Sequence, residues 1–345
     1  MAFSGDPDET LLHGGDLAAA RRLFADAPEP FVDLSTGINP HSYPLPRLPA
    51  DLFVRLPDDD LLAEARAAAA KAYGAPSSAH VVAAPGTQIL LPLVAALVRP
   101  GRAAILTPTY SEHARATSFA GHQVAEIADL GAFDTVPEAT LVIVTNPNNP
   151  DGRLFDKRDL MAVARRLEER RGLLVVDEAF MDVGPPAMSL ASEVSGSPIV
   201  VLRSFGKFFG LAGVRLGFAL ARPQLARRIA ARLGPWAVSG PALAVGGEAL
   251  ADFAWMDDAR RRLAASAARL DAILAGAGVS IVGGTTLFRL VRTRTAPKLF
   301  QHLGRAGILV RVFPEHPSWL RFGLPADEAE WNRLKIAMAD CADTQ

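Results

Sequence analysis

The chain has 345 residues, half of them hydrophobic and 21% charged, with a formal net charge of -1. That length suits about two domains of ~100–200 residues each, and so small a charge excludes a global attraction to nucleic acid or to an anionic membrane. The single cysteine, Cys341, excludes an intrachain disulfide and fits a reducing compartment, the cytoplasm.

Residues 1–60 are rich in proline, glycine and aspartate and read as an irregular arm with one short helix over 17–25. The first residues show neither a basic nor an apolar signal region. Apolar runs such as 89–98 are shorter than the about 20 residues a spanning helix needs. The segment Ser35-Thr36-Gly37-Ile38-Asn39-Pro40 is turn-like, because Gly and Asn-Pro both interrupt regular structure. An alanine-rich helix is predicted over 61–73, with three aspartates at its start and Gly74 at its end. From His80 the pattern changes. Short apolar strands at 81–84, 103–106, 123–127, 141–145, 173–176, 199–202 and 216–220 alternate with helices at 88–98, 111–120 and 156–170. The alternation predicts an α/β fold, a large domain with a mostly parallel seven-stranded sheet flanked by helices. After Pro223 come helices to 233 and over 256–274, strands at 279–282, 287–291 and 308–312, and a last helix over 326–339. These describe a smaller α+β domain. The expected division is 1–45 as an arm joining the small domain, 46–225 as the large domain and 226–345 as the small one.

Ligands of such sheets bind beyond the carboxyl ends of the strands. There the chain offers, after 199–202, the run Ser204-Phe205-Gly206-Lys207, with Arg215 eight residues on. A lysine in a loop just past a strand end is partly desolvated, which lowers its pKa and makes it a nucleophile toward an aldehyde. Ser204 and Arg215 add a hydroxyl and a fixed positive charge, as a phosphate requires. An aldehyde that carries a phosphate points to pyridoxal phosphate.

Four other strand ends supply further pieces. Pro85-Gly86-Thr87-Gln88 opens a predicted helix, and is either an anion cradle of backbone N–H groups or a glycine turn with a threonine cap. Tyr110, in Thr107-Pro108-Thr109-Tyr110, can stack on a planar ring or pack on the sheet edge. In Asn146-Pro147-Asn148-Asn149-Pro150, two Asn-Pro steps restrict the backbone, and an asparagine here can offer its amide to a phenolate oxygen. Asp177 ends an apolar strand, and a semi-buried carboxylate needs a cation, either a protonated pyridine nitrogen or an arginine.

In order and spacing these residues resemble the fold-type I pyridoxal-phosphate enzymes, in the branch that holds the histidinol-phosphate aminotransferases and the threonine-phosphate decarboxylases. The resemblance implies that Lys207 carries the cofactor and that Asp177 faces its pyridine nitrogen. It places Asn149 at the ring oxygen, Tyr110 on the ring face, and Gly86, Thr87, Gln88, Ser204 and Arg215 at the phosphate. Arg321, in Trp319-Leu320-Arg321-Phe322-Gly323, looks like the family arginine that grips the substrate carboxylate. Arg311, His13 and Ser35 are the candidates for the substrate phosphate, and Asn39 for the carboxylate side. Two departures from the aminotransferases select within the branch. Phe180 stands where they have a tyrosine after Asp-Glu-Ala, and Arg55-Leu56-Pro57 replaces their Arg-Tyr-Pro, whose tyrosine reaches the neighbouring subunit's cofactor phosphate. The opening His13-Gly14-Gly15-Asp16, the run from Asp33 to Pro40 and the Gly-Thr-Gln loop look instead like the threonine-phosphate decarboxylases of cobalamin biosynthesis. The implied reaction is decarboxylation of L-threonine O-3-phosphate to (R)-1-amino-2-propanol O-phosphate. The alternative is a histidinol-phosphate-type aminotransferase using 2-oxoglutarate. A homodimer is implied, with no nucleic-acid or membrane partner, and no Cys/His cluster has metal-ligand spacing.

Overall fold

A computed structural model describes residues 14–342 of the chain. In chain order its strands are β1 (Val32–Leu34), β2 (Val81–Ala84), β3 (Arg102–Leu106), β4 (Gln123–Ile127), β5 (Leu141–Thr145) and β6 (Leu173–Asp177). They continue with β7 (Ile199–Ser204), β8 (Gly217–Ala221), β9 (Ser280–Thr285), β10 (Phe288–Arg292), β11 (Ile308–Val312) and β12 (Trp319–Phe322). The chain divides into two compact units. One comprises Ser42–Asn149 and Arg153–Asp257, the other the chain up to His41, Pro150–Gly152 and the chain from Asp258. Residues 226–257 thus fall in the unit that carries the large sheet, on the other side of the expected boundary at 225.

The first unit holds a seven-stranded sheet in the order β2-β8-β7-β6-β5-β3-β4. Strand β8 runs antiparallel to both its neighbours, and the remaining pairs are parallel. This is the mostly parallel sheet expected from the sequence. Every residue of β5 and β6 is buried, which is why Leu-Val-Ile-Val and Leu-Leu-Val-Val show no polar alternation. Helices cover the sheet for local reasons. The helix Lys157–Glu169 starts at Asp156, whose carboxylate accepts from the Arg158 N–H, and it buries Leu160, Val163, Ala164 and Leu167 along one stripe. Helix Asp59–Tyr73 is capped by Asp58 and ends on Gly74 in the left-handed conformation. Helix Gly240–Ala251 is additional to the expected elements, because its Gly-Pro start and paired glycines read as interruptions.

The second unit holds a five-stranded sheet, β1-β11-β12-β10-β9, with β1 parallel to β11 and the other pairs antiparallel. Its strands β1 and β12 have three and four residues, too short for a periodic signal. No helix among the described residues is long and apolar enough to cross a membrane.

Candidate active site

Strand register assembles the phosphate end of the site. Ala84, the last residue of β2, pairs with Gly217 at the start of β8, and Gly217 pairs with Ser204 at the end of β7. Three loops therefore meet at one corner of the sheet, carrying Gly86-Thr87-Gln88, Arg215 and Ser204-Lys207. Gly86 has a φ of 85°, and a Cβ there would stand 2.8 Å from Nη2 of Arg215. The guanidinium occupies the space that a side chain at residue 86 would fill. A Cβ on Gly217 would meet the Gly86 carbonyl carbon and the Thr87 nitrogen, both at 2.8 Å. The turn is thus built from two glycines and one arginine. Among the described residues the Thr87 and Gln88 N–H groups donate to no other backbone group, which leaves two donors beside Arg215.

Two local expectations change here. The helix predicted over 88–98 spans only Leu90–Ala95, and its N-cap is Ile89 rather than Thr87. The Thr87 and Gln88 carbonyls instead accept from the Leu90 and Leu91 N–H groups. The cradle is a glycine turn with an arginine, without the help of a long helix. Lys207 lies in a one-turn helix, Phe205–Phe208, directly after β7, where a loop was expected. The helical turn places Lys207 three residues from Ser204, with its Nζ 5.8 Å from the centre of the buried Phe180 ring.

Asp177 ends β6 between Thr145 of β5 and Leu202 of β7 and is 6% exposed. Its Oδ1 accepts from the Ala179 N–H at 3.0 Å, and its Oδ2 lies 3.0 Å from Nε2 of His113. His113 is itself buried, and its other nitrogen, Nδ1, has no hydrogen-bond partner among the described residues. An ionised carboxylate only accepts, so Nε2 is the donor of this pair. The Tyr110 ring stands edge-on to His113, centroids 5.8 Å apart, and its hydroxyl donates to Gln88 Oε1 at 3.1 Å. The Gln88 amide also donates to Glu112. Tyr110 is thereby held at both ends. Next to half-buried Asn149, Asn148 donates to the Pro108 carbonyl and accepts from Thr109, which also bonds Thr145.

Beneath this layer lies a charged cluster that sequence reasoning missed. Arg203 bonds Glu178 at 3.0 Å and Asp182 at 2.7 Å, and its guanidinium covers the Tyr73 ring at 4.3 Å. Burial pushes the Glu178 carboxyl up, opposed by Arg203 and by hydrogen bonds from Ser189 and the Leu190 N–H. The two carboxylates raise the already high value of Arg203 against its own burial. Glu178 follows Asp177 and Arg203 precedes Ser204, so this cluster ties together the ends of β6 and β7. The one sequence sign of it was an arginine at the end of an otherwise apolar strand.

In the second unit, Arg321 on β12 is 6% exposed and donates to the Ser35 carbonyl at 2.9 Å. Arg311 on β11 is its register partner. Burial first, and Arg311 second, push the Arg321 guanidinium down to about 9, while Asp33 acts the other way. Ser35 Oγ donates to Asp33 at 2.5 Å and accepts from the Gly15 N–H at 2.7 Å, so its hydroxyl holds the arm together. Buried Asn39 accepts from the His41 N–H. His13 lies outside the described residues.

Residues 50–334 match the family described as aminotransferase class I and II. The chain belongs to that family. Among its relatives, a threonine-phosphate decarboxylase of Pseudomonas aeruginosa is 44% identical over 95% of this chain and 97% of its own length. One from Sinorhizobium is also 44% identical, over 95% and 98%. A histidinol-phosphate aminotransferase of Chromobacterium violaceum is 31% identical over 88% of this chain and 89% of its own. The fold matches that of a histidinol-phosphate aminotransferase from Sinorhizobium meliloti in complex with pyridoxal-5'-phosphate, with a TM-score of 0.81 at 22% identity, covering 99% of each chain. It also matches an L-threonine-O-3-phosphate decarboxylase from Porphyromonas gingivalis, with a TM-score of 0.75 at 21% identity, over 90% of this chain and 99% of that one. The sequence expectation of a pyridoxal-phosphate enzyme of this branch therefore holds. The residues fit the cofactor. The corner at Gly86 and Arg215 offers donors and a cation for a phosphate, and a buried carboxylate ends a central strand of the same sheet.

Proposed function

We propose that this chain decarboxylates L-threonine O-3-phosphate to (R)-1-amino-2-propanol O-phosphate, a cobalamin building block, using pyridoxal 5'-phosphate. The observation that carries this reading is 44% identity to two threonine-phosphate decarboxylases over nearly the whole chain. When bound, the cofactor supplies an electron sink for the bond that breaks at the substrate Cα.

Lys207 is the attachment point. Gly86, Thr87, Gln88, Ser204 and Arg215 hold the phosphate group, with charge-assisted bonds from Arg215. Asp177 holds a proton on the ring nitrogen, and its carboxylate is kept in place by His113 and the Ala179 N–H. Asn149 donates to the ring oxygen. Tyr110 covers the ring face, fixed by its bond to Gln88. Arg321 takes the substrate carboxylate, with Asn39 on that side, and Arg311 takes the substrate phosphate with His13, while the Ser35 hydroxyl, expected to join them, gives its one proton to Asp33 and orders the arm instead. With the cofactor bound, the Lys207 amine would be the group that holds the proton destined for the substrate Cα. Phe180, 4% exposed, replaces a hydroxyl near the lysine with an apolar wall.

The protein acts as a homodimer in the cytoplasm. In support, Leu45, Phe53, Leu56 and Trp236 of the first unit line one groove, and each is more than 60% exposed. Apolar exposure of that extent marks an interaction surface. Sedimentation should give twice the chain mass, and Leu56→Asp should shift it toward the monomer.

The deciding assay supplies threonine phosphate to purified, cofactor-loaded protein with no keto acid. Carbon dioxide release is expected. Turnover that needs 2-oxoglutarate would replace this reading with transamination.

A further inference from the structure

We propose that the amino-end edge of the seven-stranded sheet carries a second anion site, which takes a small di- or triphosphate. The cofactor residues described above gather at the carboxyl ends of the parallel strands. The opposite edge, about 17 Å away for strands of five residues, opens into a cavity of about 840 Å³. It runs past the starts of β4, β3, β5, β6 and β7 and the end of β8. None of the catalytic or binding residues assigned above lines it.

The charge of its wall is one-sided. Arg99, Arg102, Arg170, Arg171, Arg222 and Arg228 line it against a single acid, Glu138. In a chain whose net charge is -1, that imbalance is local. Arg228 is already engaged, since it donates to the Leu97 carbonyl at 2.6 Å. The other five make no ion pair among the described residues, whereas Arg166, Arg261, Arg269 and Arg289 elsewhere on the molecule each pair with an acid.

Two buried polar atoms mark the inner wall. Nη1 of Arg170 and Oγ1 of Thr140 are buried and have no hydrogen-bond partner among the described residues. Leaving such groups unsatisfied is unfavourable, and a turn of either side chain into the cavity would offer it to a phosphate oxygen. Arg170 is oriented by the face of Phe133, 4.9 Å from its ring centre. Arg171 sits in the left-handed region at a φ of 53°, a strained position for a residue with a side chain.

The chemistry selects the ligand class. Guanidinium groups suit phosphate oxygens in bidentate geometry, and five of them exceed what one phosphate can use. The volume lies within the ~300–1,000 Å³ of small-molecule sites, which favours a compact ligand over an extended polymer.

The test is calorimetric titration of cofactor-loaded protein with inorganic tripolyphosphate at low ionic strength, since loading fills the phosphate corner at Gly86. Saturable binding is expected, at least tenfold tighter than that of orthophosphate, and weakening as salt rises. Arg170→Gln with Arg222→Gln should weaken it at least tenfold. So should Arg99→Gln with Arg102→Gln, two exposed positions whose loss leaves the fold intact, so this pair decides alone if the first does not fold. The cofactor absorbance should be the same in all. No saturable binding, equal affinity for orthophosphate, or unchanged affinity in the exposed pair would overturn the proposal.

Discussion

Arg311 and Arg321 stand directly opposite each other on β11 and β12, so two guanidinium side chains share one face of the small sheet. Like charges in this relation destabilise a sheet, and Arg321 is buried as well. An anion bound on that face removes both costs, which is the physical reason to read the pair as a substrate clamp. Replacing a charged donor costs about 1.5–3 kcal/mol, or about ten- to 150-fold in affinity. Arg321→Gln and Arg311→Gln should each lower kcat/KM for threonine phosphate by such a factor. Their cofactor absorbance should match that of the unmodified protein. A loss of cofactor in either variant would count against the assignment.

The same pair sets a pH dependence. The guanidinium of Arg321 is held down at about 9, well below its ordinary range. Below pH 9 it is charged in both folded and unfolded chains, and the cost of burying the charge is fully present. From about 9 up to the ordinary guanidinium range the unfolded chain binds more protons, so this group's contribution to stability rises with pH. Substrate binding has the opposite sign, because the anion requires the charged form. KM for threonine phosphate should climb above pH 9, approaching tenfold per unit for a single proton. In Arg321→Gln that limb should be absent. Steady-state kinetics from pH 7.5 to 10 would decide.

His113 acts on the ring nitrogen only through Asp177, which makes it a positioning residue. His113→Phe fills the same buried space and leaves Oδ2 of Asp177 without its donor. A buried acceptor left unsatisfied costs about 1–3 kcal/mol, and the carboxylate is then free to turn toward Ala179 alone. The expected result is a fall in kcat of about tenfold or more, with KM little changed. The pH at which the bound cofactor's absorbance changes should also move. A merely structural histidine would lower the melting temperature and leave that spectroscopic titration where it was.

The large sheet was legible because its strands are buried on both faces and its apolar runs end in polar residues of distinct chemistry. Lys207 and Asp177 were legible for that reason, since each follows or ends such a run, and Arg215 because it stands eight residues beyond Lys207. The helix Gly240–Ala251 was hidden by glycines that serve close packing rather than turning. The short strand Val32–Leu34 pairs with Ile308–Val310, some 276 positions later, a partnership that no local pattern encodes. The cluster of Arg203, Glu178 and Asp182 was equally illegible. Nothing along the chain tells which of 37 acidic residues will meet a given arginine in the interior. The role of His113 was illegible for the same reason, although its helix was expected, because its partner Asp177 lies 64 residues away.

The phosphate corner predicts different outcomes for its two glycines. An added Cβ at residue 86 would meet only the end of the Arg215 side chain, which can swing aside. Gly86→Ala should therefore fold, at a cost of roughly 1–2 kcal/mol for the left-handed backbone. The displaced guanidinium no longer faces the phosphate, so cofactor affinity should drop by an order of magnitude, about the worth of one charge-assisted bond. At residue 217 the added carbon would meet backbone atoms of Gly86 and Thr87, which are fixed by the pairing of β2 with β8. Gly217→Ala must part those strands or distort the turn, and should lower stability by several kcal/mol, in the range of severe core overpacking. Thermal melts of the cofactor-free proteins separate the two. A melting temperature reduced more by the change at 86 than by the change at 217 would contradict this account of the corner.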